Sequence, residues 1–329
     1  MSNLARISVR GLAKKLGVSP ATVSLALNDK AGVSQKTRVM ILKSIEELGY
    51  EVKLNSRQTS AIGFAIFKKH GALVGNMHHY NELSAIIESA ALKSGLKMRD
   101  YLIGQGSELG GLSKECMGLV VLATEMNEDD LKQFSELDIP VVFLDNSFPL
   151  SSVNTISVDN LGGIHSAVDY LRKMGHKTIG YLKSENIVRN VIERFEGYKK
   201  AIDVHGLEQG EIFCFNDLNN IKREAREFFK YSAPASPAFV ADDDYIAYQV
   251  SEVLTEMGYK VGTDISVMGF GDNRYALMSN PQLSTVHAPF SSFGYLAVGK
   301  IMEQASVAAE FHSHILVGTK LVLRKSVKK

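Results

Sequence analysis

Val18-Ser19-Pro20-Ala21-Thr22-Val23-Ser24-Leu25-Ala26-Leu27-Asn28 is the stretch from which the fold of this 329-residue chain is read. Ser19 is a good helix N-cap. Pro20 suits the first helical position, where its missing N–H would be unpaired anyway. Val23, Ala26 and Leu27 then form a buried stripe at helical spacing. Just upstream, Leu12, Ala13 and Leu16 make a second stripe, in a helix that Ser8 caps and Gly17 stops. Only Gly17-Val18-Ser19 separates the two, which is the helix-turn-helix spacing. Downstream, the pattern predicts a third helix over 34–48 that buries Val39, Leu42, Ile45 and Leu48 and ends at Gly49.

The charge distribution agrees with a distinct front end. Residues 1–60 hold ten Lys or Arg and four Asp or Glu, a net +6; with the whole chain at +1, the remainder carries −5. A small basic head on a mildly acidic body is the layout of a protein whose head touches a polyanion. The chain is 45% hydrophobic and 22% charged, a globular composition that excludes long disorder and disulfide scaffolds. No apolar run approaches the roughly 20 residues of a membrane helix. The N-terminal ten residues lack an apolar core of signal-peptide type, and Cys116 and Cys214 stand alone. These features lead us to expect a cytoplasmic protein without a structural disulfide or metal site.

The Val18–Asn28 block, then Val33-Ser34-Gln35-Lys36-Thr37-Arg38, then Ile45-Glu46-Glu47-Leu48-Gly49-Tyr50, closely resemble the DNA-binding head of the lactose-repressor (LacI/GalR) family. The resemblance implies that the second helix enters the major groove. Its face opposite the buried stripe carries Ala21, Ser24, Leu25 and Asn28, with Thr22 beside it. By family analogy, the positions of Pro20, Ala21 and Leu25 contact bases, and those of Thr22 and Ser24 contact phosphate or bases. Ser8 and Ser19 belong to the same DNA-facing set, and Lys14, Lys15, Lys36, Arg38 and Arg6 are candidate phosphate partners. Leu25 stands where relatives often carry Arg or His, so the fork that grips guanine O6 and N7 is missing. Ala21 and Leu25 are suited to thymine methyl groups instead.

After Gly49-Tyr50 the family usually continues Pro-Asn-x-x-Ala-Arg-x-Leu, a hinge helix whose leucine wedges into the minor groove. Here the chain runs Glu51-Val52-Lys53-Leu54-Asn55-Ser56-Arg57-Gln58-Thr59-Ser60, shorter and without the proline, the Ala-Arg pair or a leucine at that spacing. The expected organisation is therefore a helix-turn-helix head over 1–50, a shortened linker over 51–60, and a sensor and dimerisation domain over 61–329.

In that last segment apolar strand-like runs (62–67, 118–123, 141–144, 178–182, 238–241, 265–269) alternate with amphipathic stretches (80–94, 161–174, 191–201, 221–231, 245–257). Such alternation predicts parallel sheets covered by helices, in two lobes with a cleft between them. Val158-Asp159-Asn160, Glu193-Arg194-Phe195-Glu196-Gly197-Tyr198, Asp243-Asp244-Tyr245-Ile246-Ala247 and Ile265-Ser266-Val267-Met268-Gly269-Phe270 resemble the family's periplasmic-binding-protein-like core. The second helix of that core is largely missing from 103–117. The fold class expected is an all-α head plus a two-lobed α/β sensor.

The resemblance also nominates effector residues. Arg194 matches an arginine that commonly binds effector, or else an interlobe salt bridge. Asp145 follows the 141–144 strand and matches an aspartate that takes sugar hydroxyls; strand C-terminal ends are where open α/β sheets bind ligands. Asp243 replaces the usual Asn, leaving an acceptor only, and either it or, preferably, Asp244 caps the next helix. Gly271 stands where relatives place a binding aspartate, with Asp272 after it. Tyr80 matches an aromatic position at the cleft mouth. No cofactor, metal or catalytic constellation is expected. Gly104-Gln105-Gly106 fails the dinucleotide fingerprint, His78-His79 lacks a third ligand, and no nucleophile elbow occurs. The expected function is a DNA-binding transcriptional regulator, a repressor acting as a homodimer on a palindromic duplex under control of a carbohydrate-like effector, with no membrane partner. The alternative is a solute-binding protein or non-catalytic sensor sharing only the body.

Overall fold

The computed structural model describes residues 5–27, 32–47, 50–53, 60–70, 78–185, 188–230, 234, 236–306 and 312–328. The head consists of β1 (Ala5–Ser8), α1 (Val9–Leu16), α2 (Pro20–Leu27), α3 (Gln35–Glu47) and β2 (Tyr50–Lys53). Gly17 ends α1 with φ 66°, a conformation that favours glycine, and Val18 N donates to Ala13 O at 3.1 Å. Leu12, Ala13, Val23, Ala26 and Ile41 form its buried core.

Two expectations for the head change. Ile41 is fully buried, whereas Val39 and Leu42 are 53% and 47% exposed. The face of α3 turned to the core thus runs through Ile41 and the half-buried Ile45, rotated away from Val39 and Leu42 of the stripe expected. Four consecutive apolar residues, Val39 to Leu42, fit either rotation, so periodicity alone could not choose. The second change is at the linker. Tyr50–Lys53 pairs in parallel with Ala5–Ser8, in register Ala5 to Tyr50 and Ser8 to Lys53.

The first lobe contains β3 (Ala61–Lys68), α4 (His78–Lys93), β4 (Lys97–Gly104), α5 (Leu112–Glu115), β5 (Leu119–Leu122), a 3-10 helix (Glu128–Phe134), β6 (Val141–Leu144) and β7 (Asn154–Val158). The second contains α6 (Asn160–Lys173), β8 (Thr178–Ser184), α7 (Arg189–Val204), β9 (Glu208–Phe215), α8 (Ile221–Lys230), β10 (Ala238–Ala241), α9 (Asp244–Glu256), β11 (Ser266–Gly271), α10 (Arg274–Met278) and β12 (Ser284–His287). The chain then returns to the first lobe for α11 (Ser291–Ser306) and β13 (His314–Val317), and crosses once more for β14 (Lys320–Val322).

Each lobe is one six-stranded sheet, in the orders β13-β7-β6-β5-β3-β4 and β14-β12-β11-β10-β8-β9. All pairs are parallel except β12 with β14, so helices must cover the faces. The central strands are correspondingly apolar on both sides: β3 and β7 are buried almost throughout. On one face of the first sheet the regular helix is replaced, as the sequence implied, by the four-residue α5 and the 3-10 helix. Leu112, Phe134 and Phe148 close that core against Phe67, Val121 and Phe143. The chain passes between the lobes three times, after β7, after β12 and after β13.

Candidate DNA-binding and effector sites

Ser19 Oγ accepts from Thr22 N at 3.0 Å, and Ser34 Oγ accepts from Thr37 N at 3.2 Å. In each cap the two hydroxyls also bond to one another at 2.8 Å. Both helices thus start from a serine cap backed by a threonine one turn later, which fixes the N-terminus where anions are held. Ser19, Pro20 and Ala21 are exposed, and Thr22, Ser24 and Leu25 half-buried. Leu25 leans towards the next loop: a Cβ on Gly32 would lie 3.4 Å from its Cδ1. Lys14 and Lys36 are exposed and Arg38 half-buried. Asn28 and the side chain of Ser8 lie outside the described residues.

The lobes meet through a polar network that grows from the first crossing. Asn160, fully buried at the start of α6, donates from Nδ2 to Asn190 Oδ1 and to Glu193 Oε2, both at 3.0 Å. Its Oδ1 accepts from Arg194 Nε at 2.8 Å. Arg194 also donates from Nη1 to the carbonyl of Asp242 at 2.8 Å, and its guanidinium lies 3.9 Å from the centre of the Phe270 ring. The plane is thereby fixed by two bonds and a stack. Three of its five N–H donors have no acceptor among the described residues. Glu193, its neighbour, accepts from Ser147 Oγ of the first lobe and from Arg189 Nε, each at 2.8 Å.

Asp145 and Ser147 follow β6 directly. Asp145 is 9% exposed, accepts from Thr124 Oγ1 at 2.7 Å and has φ 63°. Asp272, just past β11, has φ 57°. Left-handed backbone is uncommon for residues other than glycine, and Asp tolerates it best. Both stand at C-terminal strand ends, where strain collects at ligand sites. Asp272 is nevertheless occupied within the protein: its carboxylate accepts from Arg324 Nη2 at 2.6 Å and pairs with His287 Nδ1 at 3.0 Å.

The acidic triplet resolves differently from the expectation. Asp243, not Asp244, caps α9, accepting from Tyr245 N at 2.6 Å. Asp244 turns inward, accepting from Thr285 Oγ1 at 2.6 Å and Asn273 N at 2.8 Å. The glycine at position 269 makes room for it: a Cβ there would meet Asp244 Oδ1 at 2.1 Å. Burial, with Asp243 and Asp272 nearby, pushes its carboxyl up to about 7. Asp242 is buried too, bonded by the Tyr181 hydroxyl and by Ser184 N at 2.9 Å, and burial raises it to about 6.

Asp145 and Asp272 therefore follow strand ends and Asp243 caps α9, while Arg194 stands in the second turn of α7. The side chain of Tyr80, in the first turn of α4, lies outside the described residues. Asn160, Glu193 and Asp242 were missed as site residues. Their signal was present in the Asn160 and Glu193-Arg194 blocks, whose polar residues recur where a helix would otherwise be apolar.

A helix-turn-helix head on two α/β lobes that are crossed three times defines a class: DNA-binding regulators with a built-in sensor. Residues 9–52 match the family of bacterial regulatory proteins of the lacI type, and residues 168–327 match the periplasmic binding protein-like domain. The HTH-type transcriptional regulator GalS of Salmonella typhimurium is 25% identical, over 98% of this chain and 96% of its own. The regulator AscG of Escherichia coli is 27% identical, over 88% and 90%. Among solved structures, the lac repressor dimer bound to operator superposes with a TM-score of 0.70 at 22% identity, over 98% of this chain and all of that one. The chain thus joins a lacI-type DNA-binding head to a periplasmic-binding-protein-like body, the combination to which LacI/GalR-type transcriptional regulators are similar over nearly its whole length.

Proposed function

We propose that the protein is a homodimeric, cytoplasmic repressor without catalytic activity. It binds a palindromic operator through α2 and releases or grips it in response to a small polyhydroxylated effector held between the lobes. The observation that carries the effector reading is Arg194: a guanidinium held by Asn160, Asp242 and Phe270 still has three donors to spend. Asp145 supplies an acceptor from the opposite lobe, and Asp243 adds another at the start of α9. Donors on one lobe and acceptors on both suit vicinal hydroxyls. Support for a carbohydrate comes also from a structural neighbour of the same fold, a transcriptional regulator CelR–cellobiose complex, TM-score 0.70 at 22% identity.

On the DNA side, Ser19, Pro20, Ala21, Thr22, Ser24, Leu25 and Asn28 form the reading set, with Ser8, Lys14, Lys36 and Arg38 towards phosphates. No helix among the described residues is long and apolar enough to cross a membrane. The test is selection from randomised duplexes followed by titration across salt. A palindromic consensus whose log affinity falls linearly with log salt is the expected result. Uniform affinity for all duplexes at low salt would overturn it. Thermal-shift screening of the full chain against sugars then identifies the effector class.

A further inference from the structure

We propose that the groove between α6 and the edge strand β14 is a second ligand site, distinct from the cleft at Arg194, and that it binds a phosphoryl dianion, free or as the head of a small sugar phosphate. α6 buries Ile164, Ala167, Val168 and Leu171. Its other side sets His165, Ser166, Asp169, Tyr170 and Lys173 in one stripe. Across from them run Thr319, Lys320 and Leu321, and the space between encloses about 320 Å³. That is within the size range of small-molecule pockets. The groove has a built floor. A Cβ at Gly163 would lie 3.0 Å from Thr319 Oγ1, so the glycine leaves room for the crossing segment close beside the helix.

The charge in the groove is positive although Asp169 lies within it. Lys173 Nζ at 2.7 Å and Arg172 Nη2 at 2.8 Å both engage that carboxylate. The Lys173 and Arg172 bonds hold its carboxyl well below the usual range, at about 2. The lining itself holds two cations, Lys173 and Lys320, against the one carboxylate of Asp169, and Arg172, just outside the lining, pairs with that same carboxylate. A phosphate monoester carries about −1.5 to −2 at pH 7. The type of cation also selects. The Arg172 fork, which would suit a planar carboxylate, is spent on Asp169 through both Nε and Nη2. The Lys320 ammonium and the Lys173 donors not spent on Asp169 are point charges with rotatable donors, which suit phosphoryl oxygens. The Tyr170 and Thr319 hydroxyls add neutral donors, and the Leu321 side chain and Tyr170 ring offer apolar surface to a carbon body. Ser166 donates instead to Gly162 O at 2.8 Å.

The position gives the site a consequence. Thr319 lies in the last crossing between the lobes, after Val317 of β13, and Lys320 begins β14, whereas α6 opens the second lobe. A dianion bridging Lys173 and Lys320 ties that crossing to α6, and so favours one interlobe arrangement independently of the cleft. Binding itself is measured without DNA, so its outcome is separate from that of the operator reading.

The experiment titrates the full chain with D-glucose 6-phosphate, inorganic phosphate and D-glucose at matched ionic strength, by calorimetry and by hydrogen exchange. The expected result is binding of one or both phosphoryl compounds, the tighter one identifying the source, with protection confined to 160–174 and 318–322. Lys320→Glu at the exposed rim and Ser166→Trp within the groove should each weaken it at least tenfold. Protection at 144–147 and 242–246 instead, affinity unchanged in both variants, equal binding of D-glucose, or no binding of either phosphoryl compound at 10 mM (on the order of the weakest affinity of a specific small-ligand site) would overturn the proposal.

Discussion

In the docking proposed for α2, Leu25 is the position where the chemistry of one side chain sets what can be read. It occupies the exposed side of α2 one turn after Ala21, yet its terminal methyl also rests near Gly32. An apolar group there has no partner among guanine acceptors and a good one in the thymine methyl. Replacing it as Leu25→Arg should move the selected base at the facing position towards G, by about 1–3 kcal/mol of discrimination, read by sequencing bound duplexes. An unchanged consensus would mean that α2 docks in another orientation. Asp244 presents a second single-residue case, in which burial rather than reading decides. Its carboxyl rises to about 7 in the folded chain from an ordinary 3.8. Between those values the unfolded chain has lost the proton and the folded chain keeps it. Folded stability from this group is therefore present below pH 4 and is lost as pH climbs towards 7; Asp242 acts in the same direction up to about 6. Asp244→Asn keeps an acceptor for Thr285 or Asn273 and removes the titration. The urea midpoint of the wild type should drop relative to that of the variant between pH 4.5 and 7.5, and parallel pH profiles would show that Asp244 titrates normally.

At the level of elements, the sensor depends on how closely α6 approaches the second sheet and the last crossing. A methyl at Gly163 would stand 2.9 Å from Phe270, and 3.0 Å from both Thr319 and Val286. Three neighbours on two strands and a crossing cannot all retreat at once, and Phe270 is also the platform beneath Arg194. Gly163→Ala should lower stability by about 1–3 kcal/mol and weaken the effector response along with it. Chemical denaturation and effector-dependent operator release are the two measurements, and a variant with wild-type values in both would refute the packing described. The elements themselves were legible where two local signals coincide. α2 has Ser19, Pro20 and its stripe, and the central strands β3, β6 and β10 are short apolar runs between turns. The edge strands were harder: β4, Lys97–Gly104, is exposed or half-buried at all but one position and so shows no clean alternation, and β1 and β2 become strands only by pairing across 45 residues. The same holds within the site. Arg194 and Asp145 stood out by position, but the network of Asn160, Glu193 and Ser147 exists only once crossings bring together residues up to 46 apart.

Across the whole molecule, the connection between head and body determines how the operator is deformed. Relatives with the Pro-Asn-x-x-Ala-Arg-x-Leu segment place a helix there and wedge its leucine between base steps. In this chain the backbone of Tyr50–Lys53 is committed to Ala5–Ser8, and a peptide group bonded in a ladder is not free to bond within a helix. Seven residues, 54–60, then remain before β3 begins at Ala61, a tether of at most roughly 25 Å when extended. A clamped linker without a wedge residue has no means of supplying the few kcal/mol that unstacking a step requires. In the proposed dimeric complex, the affinity that remains is in two reading helices, spaced about 34 Å apart for successive major grooves, and in their phosphate contacts. The expected operator complex is therefore nearly straight, bent by less than about 20°, the lower end for wedge-inserting proteins, in a circular-permutation gel assay. Deleting residues 1–8 removes the pairing partner of β2 and frees the linker. If that truncation leaves the bend and the affinity as they were, the β1–β2 clamp plays no part in DNA binding; a strongly kinked wild-type complex would mean that the linker abandons β1 when it meets the duplex.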